Sequence, residues 1–142
     1  MDRIGIIGIG MLGNAVALHL LDLGYKITVF NRKREKTKQV EEKGAMIVNS
    51  PKEVAMNSDL VITIVKDSEA VKEVSFGNDG IVSGKHEGLI VADMSTINPT
   101  ESKKITSNFL DYKIDKLDVP VMGGPNVAIS GELVMMVSLF FC

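Results

Sequence analysis

The chain has 142 residues, of which 45% are apolar, and a formal net charge of −2, so one domain with an ordinary hydrophobic core is expected. This charge gives no basic field for nucleic acid or an anionic membrane, and the 5% of aromatic residues, with no Trp, argue against base-stacking platforms. A single cysteine, Cys142, excludes a disulfide framework and a cysteine metal cluster, and no metal site is predicted.

The first predicted elements are a buried strand, a glycine-rich turn and a helix. The apolar run Ile4–Ile7 leads into Gly8–Gly13, which has the pattern G-x-G-x-x-G. A helical pattern then covers Met11–Leu23, ends at Gly24, and is followed by an apolar strand at Lys26–Phe30. These elements predict one βαβ unit whose first turn places a pyrophosphate at a helix N-terminus.

Each glycine of this turn has an expected role. Gly8 allows the tight turn, Gly10 lets the backbone approach phosphates, and Gly13 allows helix and strand to pack closely. Met11 and Leu12 complete the predicted cofactor-binding turn. The alternative is a plain tight turn in an α/β domain, but the strand before the motif and the helix after it favour dinucleotide binding.

The remaining elements continue the alternation of strands and helices. Apolar strands are predicted near residues 3–8, 26–30, 45–48, 60–65, 89–93 and 114–119, with helices near 34–43 and 99–110. Ser50 is the expected N-cap of a further helix, with Pro51 first and Glu53 as its capping-box partner. Ser68 is the expected cap of one more helix, and Asn98 is the expected cap of the helix near 99–110. Alternation with mostly continuous apolar strands predicts a doubly wound, mostly parallel sheet of the Rossmann type over residues 1–142.

The end of the second predicted strand bears on the choice of cofactor. An NAD site usually places a carboxylate here to bind the ribose hydroxyls, but this chain has Asn31 and Arg32. Asn31 can bond a ribose hydroxyl, and the planar guanidinium of Arg32 suits a 2′-phosphate. The sequence therefore favours NADP over NAD. The alternative is that Arg32–Lys38 is only the solvated face of a helix.

Three later loops lie at predicted strand ends, where ligands of such sheets bind. They cover residues 65–68, 93–99 and 118–125. The hydroxyls of Ser95 and Thr96 suit a substrate carboxylate or a nicotinamide carboxamide, and Gly123 and Gly124 expose backbone N–H groups to an anion. The alternatives are local turn bonding for the hydroxyls and a flexible connection for the glycines.

At these motifs the sequence resembles the β-hydroxyacid dehydrogenase family, which includes 3-hydroxyisobutyrate dehydrogenase and, more distantly, 6-phosphogluconate dehydrogenase. The matching segments are Ile6–Gly13, Asp93–Thr96 with Pro99, and Asp118–Gly124 with Ala128, Gly131 and Leu133. Their order and spacing also fit, and the resemblance runs to about Val137.

The resemblance implies reversible hydride transfer between NAD(P) and a small 3-hydroxy acid or its semialdehyde. In that scheme Ser95, Thr96, Gly123 and Gly124 hold the carboxylate end of the substrate near the nicotinamide, and Thr96 also contacts the cofactor.

The same resemblance implies further cofactor contacts. Val65 and Lys66 line the nicotinamide-ribose region, while Asn31 and Arg32 match the NADP-preferring variants of the family.

The chain departs from the family pattern in two places. Met122 stands where the family commonly has Ser, and a thioether cannot donate a hydrogen bond to a carboxylate. The family continues into a second, helical domain carrying its catalytic Lys, whereas this chain ends at Cys142 after an apolar tail. We therefore expect a dinucleotide-binding domain that is inactive alone. A fragment of a longer protein, a truncated gene or a frameshifted gene would each explain the missing domain. The alternative is a non-catalytic dinucleotide-binding or scaffold module.

The C-terminal segment also predicts a partner. Residues 131–142 include a strand near Leu133–Val137 that lacks its usual cover, and an exposed apolar edge invites pairing with another chain. We expect a homo-oligomer formed through residues 133–141. No leader or membrane-length apolar run is evident, so a cytoplasmic protein without membrane or nucleic-acid partners is predicted.

Overall fold

The computed structural model describes residues 2–119 and two short strands at 121–122 and 134–135. The strands are β1 (Arg3–Ile7), β2 (Lys26–Phe30), β3 (Met46–Ile47), β4 (Leu60–Thr63), β5 (Ile90–Asp93), β6 (Asp115–Asp118), β7 (Val121–Met122) and β8 (Val134–Met135). The helices are α1 (Met11–Asp22), α2 (Lys38–Glu42), α3 (Pro51–Met56), α4 (Ser68–Phe76) and α5 (Pro99–Asp111), and 3-10 turns cover Arg34–Thr37 and Ile81–Gly84.

Six strands form one sheet in the order β3-β2-β1-β4-β5-β6, and every pair in it is parallel. The order reverses between β1 and β4, which is the crevice where doubly wound sheets bind ligands at their carboxyl ends. The predicted α/β fold is thus confirmed. The last two strands, β7 and β8, form a separate antiparallel pair.

The sheet is covered on both faces, which explains the continuous apolar strands. On one face Ile6 and Val29 pack with Val16 of α1. On the other face Val61 packs with Val54 of α3 and Phe109 of α5. Alternate residues of each strand therefore serve two hydrophobic cores.

The helix caps follow the sequence in part. The Ser50 hydroxyl accepts the Glu53 N–H at 3.2 Å, as predicted, but the Glu53 carboxylate accepts the N–H of Asn49 rather than that of Ser50. The prediction of Ser68 as a cap was wrong. Asp67 is the N-cap, with its carboxylate accepting the Ala70 N–H at 2.8 Å, because a charged acceptor suits the positive end of a helix.

Candidate cofactor-binding site

The glycine-rich turn fits tightly between β1, α1 and the end of β4. Gly8 has φ +103°, and a Cβ there would overlap the carbonyl of Ile64. A Cβ on Gly13 would overlap the carbonyl of Gly8. Gly10 differs, since its Cβ position has no heavy atom within 4 Å. Two glycines therefore allow close packing, and the third leaves open space at the start of α1.

The N-terminus of α1 is free to accept an anion. Its N-cap residue, Gly10, provides no side-chain cap, and the first turn contains no acidic residue. The first N–H groups of a helix lack intrahelical acceptors, and the helix dipole favours negative charge there. The turn thus fits the pyrophosphate of a dinucleotide, as the sequence predicts.

A cleft of about 550 Å³ opens beside this turn, at the carboxyl ends of β1, β2 and β4. Of the predicted cofactor residues, those that line it are Gly8, Gly10, Asn31, Arg32, Val65 and Lys66. Met11, Leu12 and Thr96 are absent from its lining, as is Gly13, which acts through packing. The cleft therefore gathers the glycine turn, the end of β2 and the loop after β4.

Asn31 joins two segments of the cleft wall. Its Oδ1 accepts the N–H of Ile9 at 2.8 Å, and its Nδ2 donates to the carbonyl of Lys33 at 2.8 Å. The carboxamide keeps one lone pair and one N–H for a ligand. Asn31 thus fixes the glycine turn against β2 and retains the capacity to bond a ribose hydroxyl.

A positively charged edge follows β2. Arg32, Lys33 and Lys36 are exposed and line the cleft. Arg34 has a different role, because its guanidinium donates to Oδ1 of Asn49 at 3.0 Å. The sequence motif indicates Arg32 alone. Lys33 and Lys36 also line the cleft, and a 3-10 turn at residues 34–37 replaces the expected helical start.

The opposite wall combines apolar and polar side chains from α4 and its flanking loops. Val65, Ala70 and Val74 supply apolar surface, while Glu73 and Asn78 are exposed polar groups at the rim. Sequence reasoning stopped at Lys66 and missed the α4 residues, although the apolar spacing at positions 70 and 74 of a helix following the site loop could have indicated them.

Ser95 and Thr96, both predicted substrate ligands, face different environments. Ser95 is 8% exposed, and its hydroxyl accepts the N–H of Val65 at 2.9 Å. Thr96 is exposed in the loop after β5. Gly123 and Gly124, the other predicted substrate ligands, lie outside the described residues.

Asp93 lies beneath this loop and is 2% exposed. Its Oδ1 accepts the Ser95 N–H and the Thr63 hydroxyl, each at 2.9 Å, while its Oδ2 is buried and has no hydrogen-bond partner among the described residues. Burial raises the pKa of Asp93, and the bonds from Ser95 and Thr63 together with the nearby charge of Lys116 partly oppose that rise.

A second buried polar cluster lies between β6 and α5. The Lys116 ammonium is fully enclosed and donates to Ser102 Oγ at 3.1 Å, to Thr106 Oγ1 at 3.2 Å and to Asp118 Oδ1 at 2.5 Å. The Ser102 hydroxyl donates to the other oxygen of Asp118. Both carboxylate oxygens of Asp118, the first residue of the predicted substrate loop, are therefore bound.

The described part of the chain contains neither a membrane-spanning helix nor a metal-binding cluster. No helix there is both long enough and apolar enough to cross a bilayer. Within the same residues no group of three His, Cys, Asp or Glu side chains is placed to hold a metal ion.

Comparison with known proteins agrees with the fold and the glycine turn. Residues 3–139 match the family described as the NAD binding domain of 6-phosphogluconate dehydrogenase, so the chain belongs to this family of NAD-binding domains. The resemblance read from the sequence motifs is thereby confirmed.

Relatives of this chain are oxidoreductases. A probable mitochondrial 3-hydroxyisobutyrate dehydrogenase-like protein of Arabidopsis thaliana is 40% identical over 131 residues, which are 92% of this chain and 41% of the relative. The 3-sulfolactaldehyde reductase of Escherichia coli is 31% identical over 136 residues, 96% of this chain and 46% of that enzyme. The chain thus spans less than half the length of these relatives.

Solved structures give the same picture. Psf3 in complex with NADP+ and 2-OPP superposes with a TM-score of 0.91 at 30% identity, over 96% of this chain and 49% of that one. The 3-hydroxyisobutyrate dehydrogenase of Mycobacterium tuberculosis gives a TM-score of 0.89 at 23% identity, over 96% of this chain and 46% of that one, a likeness in fold.

Proposed function

We propose that this chain is the NADP-binding part of a β-hydroxyacid dehydrogenase-type oxidoreductase. Its reaction is hydride transfer between NADP and a small 3-hydroxy acid or its semialdehyde. The cofactor would supply the hydride when the semialdehyde is reduced and accept it when the hydroxy acid is oxidised, and the chain holds the cofactor at the carboxyl ends of its strands.

The observation that carries the proposal is the pairing of an open, uncapped helix N-terminus with a cationic edge on one cleft. The pyrophosphate would lie at Gly10 and the first turn of α1. Arg32, Lys33 and Lys36 supply positive charge where a 2′-phosphate of the adenosine ribose would lie, and no carboxylate follows β2 directly to repel it. The family and the NADP+-bound neighbour support a dinucleotide, and these cations favour NADP over NAD.

Fluorescence titration with NADPH and with NADH tests this preference. We expect tighter binding of NADPH, and Arg32→Gln should weaken it by about ten- to a hundredfold while leaving NADH nearly unchanged, as for the loss of a charged hydrogen bond. Lys36→Gln should act in the same direction with a smaller effect, because an ammonium lacks the planar fork. Lys38→Gln is the matched control, since Lys38 is exposed on α2 and does not line the cleft. Equal affinities for the two cofactors would contradict the preference.

The family resemblance assigns the substrate to Ser95, Thr96, Gly123 and Gly124. Reduction of an aldehyde also needs a proton at the developing alkoxide, and we propose that the donor comes from beyond these 142 residues. NADPH oxidation with a small semialdehyde should then be absent for the purified chain. Turnover by the chain alone would overturn this part, whereas cofactor binding without turnover in any longer form of the protein would favour a non-catalytic scaffold module.

We also propose self-association through residues 133–141, most of which lie outside the described residues. Light scattering before and after deletion of this segment tests it, and an unchanged mass would refute it. The compartment stays a prediction, since the sequence favours the cytoplasm and the Arabidopsis relative carries a mitochondrial name.

A further inference from the structure

We propose that Ser95 is a positioning residue for the cofactor cleft rather than a substrate ligand, and that it acts with Thr63 and Asp93. Ser95, Thr63 and Asp93 together form the strand-end clamp. The clamp fixes the Val65 wall of the cleft, and its link to cofactor affinity rests on the proposed function.

Ser95 contacts Val65 just beyond the end of β4. Strand β4 ends at Thr63, and the N–H of Ile64 still bonds β1 through the carbonyl of Ile7 at 2.9 Å. Val65 lies one residue further on, where its N–H bonds the side chain of Ser95 at 2.9 Å. A serine hydroxyl thus continues the backbone hydrogen bonding where the sheet stops.

Ser95 is itself held by Asp93, which also bonds Thr63. Asp93 Oδ1 accepts the Ser95 N–H at 2.9 Å, and the Thr63 hydroxyl bonds the same oxygen at 2.9 Å. All three side chains are buried, with Thr63 fully enclosed. The clamp therefore joins the ends of β4 and β5 with little exposure to solvent.

The strand-end clamp is connected to the cleft through Val65. Val65 lines the cleft, and one of its methyl carbons, Cγ1, would lie 3.3 Å from a Cβ built on Gly8. The Val65 wall therefore lies directly beside the glycine turn. A shift of Val65 would change the width of the cleft beside the site expected for the pyrophosphate.

Ser95 is poorly placed to contact a substrate as well. Its hydroxyl oxygen accepts the Val65 N–H and lies 3.5 Å from the Thr63 carbonyl, to which it can donate, and the residue is 8% exposed. Thr96 is exposed and adjacent. Within the D-x-S-T motif, Ser95 therefore faces the protein interior, and Thr96 is the residue accessible to a ligand.

The test compares Ser95→Ala with Ser102→Ala. Both remove a buried serine hydroxyl with hydrogen bonds. The Ser95 hydroxyl bonds Val65, which lines the cleft, whereas the Ser102 hydroxyl on α5 bonds Lys116 and Asp118, which do not. Amide exchange at Val65, followed by NMR, should accelerate about two- to tenfold in Ser95→Ala through loss of one neutral hydrogen bond, and should stay unchanged in Ser102→Ala. The Kd for NADPH should rise by a similar factor in Ser95→Ala alone.

Substitutions of Asp93 give a second readout if Ser95→Ala fails to fold. Asp93→Asn keeps an oxygen acceptor at the Oδ1 position, whereas Asp93→Ala removes it. We expect Val65 exchange and NADPH affinity near wild type in Asp93→Asn, and both changed in Asp93→Ala.

Unchanged Val65 exchange in Ser95→Ala, or a loss of NADPH affinity equal to that of Ser102→Ala, would overturn the clamp. Failure of the proposed function is distinguishable, because wild-type protein would then bind neither NADPH nor NADH. In that case Val65 exchange alone decides whether the clamp positions the wall.

Discussion

Replacement of Lys116 by methionine should strongly destabilise the fold, because it leaves a buried charge without its partner. The ammonium is fully enclosed, and its three protons meet three acceptors on Ser102, Thr106 and Asp118. Methionine has a similar length but donates no hydrogen bond. Among the described residues, the carboxylate of Asp118, whose side chain is 15% exposed, would keep only its bond from Ser102.

Removing one partner of a buried ion pair costs about 3–5 kcal/mol. We expect a loss near 3 kcal/mol, at the lower end, because Asp118 retains some access to water and one hydroxyl donor. With about 0.05–0.15 kcal/mol per residue, a chain of 142 residues has a free energy of unfolding of roughly 7–20 kcal/mol. The substitution would therefore remove a substantial part of the stability without preventing folding.

Urea unfolding measures this loss. With a slope of about 2 kcal/mol per molar, the midpoint should fall by roughly 1.5 M while the slope stays constant. Lys104→Met is the matched control, since Lys104 is exposed and its contact with Glu101 is long, at 4.0 Å. That variant should remain within about 0.5 kcal/mol of wild type.

A double variant isolates the interaction from simple loss of packing. Lys116→Met combined with Asp118→Asn should cost clearly less than the sum of the two single changes, because the unpaired charge is then absent. Additive losses, or a Lys116→Met midpoint equal to that of Lys104→Met, would refute the account of a coupled buried pair.

Three further predictions follow from local geometry. Gly13→Ala should lower the free energy of unfolding by about 1–3 kcal/mol in urea, because its Cβ would overlap the Gly8 carbonyl; wild-type stability would mean that the turn has room to relax. Ser50→Ala should cost about 1 kcal/mol through loss of the cap to Glu53, and no change in the midpoint would contradict it. Burial raises the pKa of Asp93 above its pKa in the unfolded chain. Wild-type protein therefore loses stability as pH rises from the unfolded pKa through the folded one. The stability of Asp93→Asn relative to wild type should therefore increase between about pH 3 and pH 7, and a pH-independent difference would argue against the raised pKa.

The backbone of the site was predictable because its signals are local. Continuous apolar strands, glycines at helix ends and the G-x-G-x-x-G spacing each reflect the conformation of a few neighbouring residues. Asn98, for example, caps α5 through the N–H of Thr100 at 2.7 Å, as its position before Pro99 predicts. Such features need no knowledge of distant contacts.

The polar clusters were not predictable in the same way, since they join residues distant in sequence. Thr63 and Asp93 are 30 positions apart, and Lys116 reaches Ser102 across 14 positions. In the sequence Lys116 is one of three charged residues in the strand Asp115–Asp118, a composition that gives no sign of its burial. The bond between the Ser95 hydroxyl and the Val65 N–H likewise spans 30 positions, and the sequence beside a strand end does not indicate which way a hydroxyl faces.

Arg32, which lines the cleft, and Ser95, which bonds Val65 in its wall, should respond differently to mutation. Arg32 is exposed and has no hydrogen bond to another described residue, so Arg32→Gln should shift the preference between NADPH and NADH while the urea midpoint stays within about 0.5 kcal/mol of wild type. Ser95→Ala should change affinity and stability together, because the hydroxyl belongs to a buried network. Parallel titration and urea unfolding of both variants tests this. A large stability loss in Arg32→Gln would show that the cationic edge supports the fold as well as the cofactor.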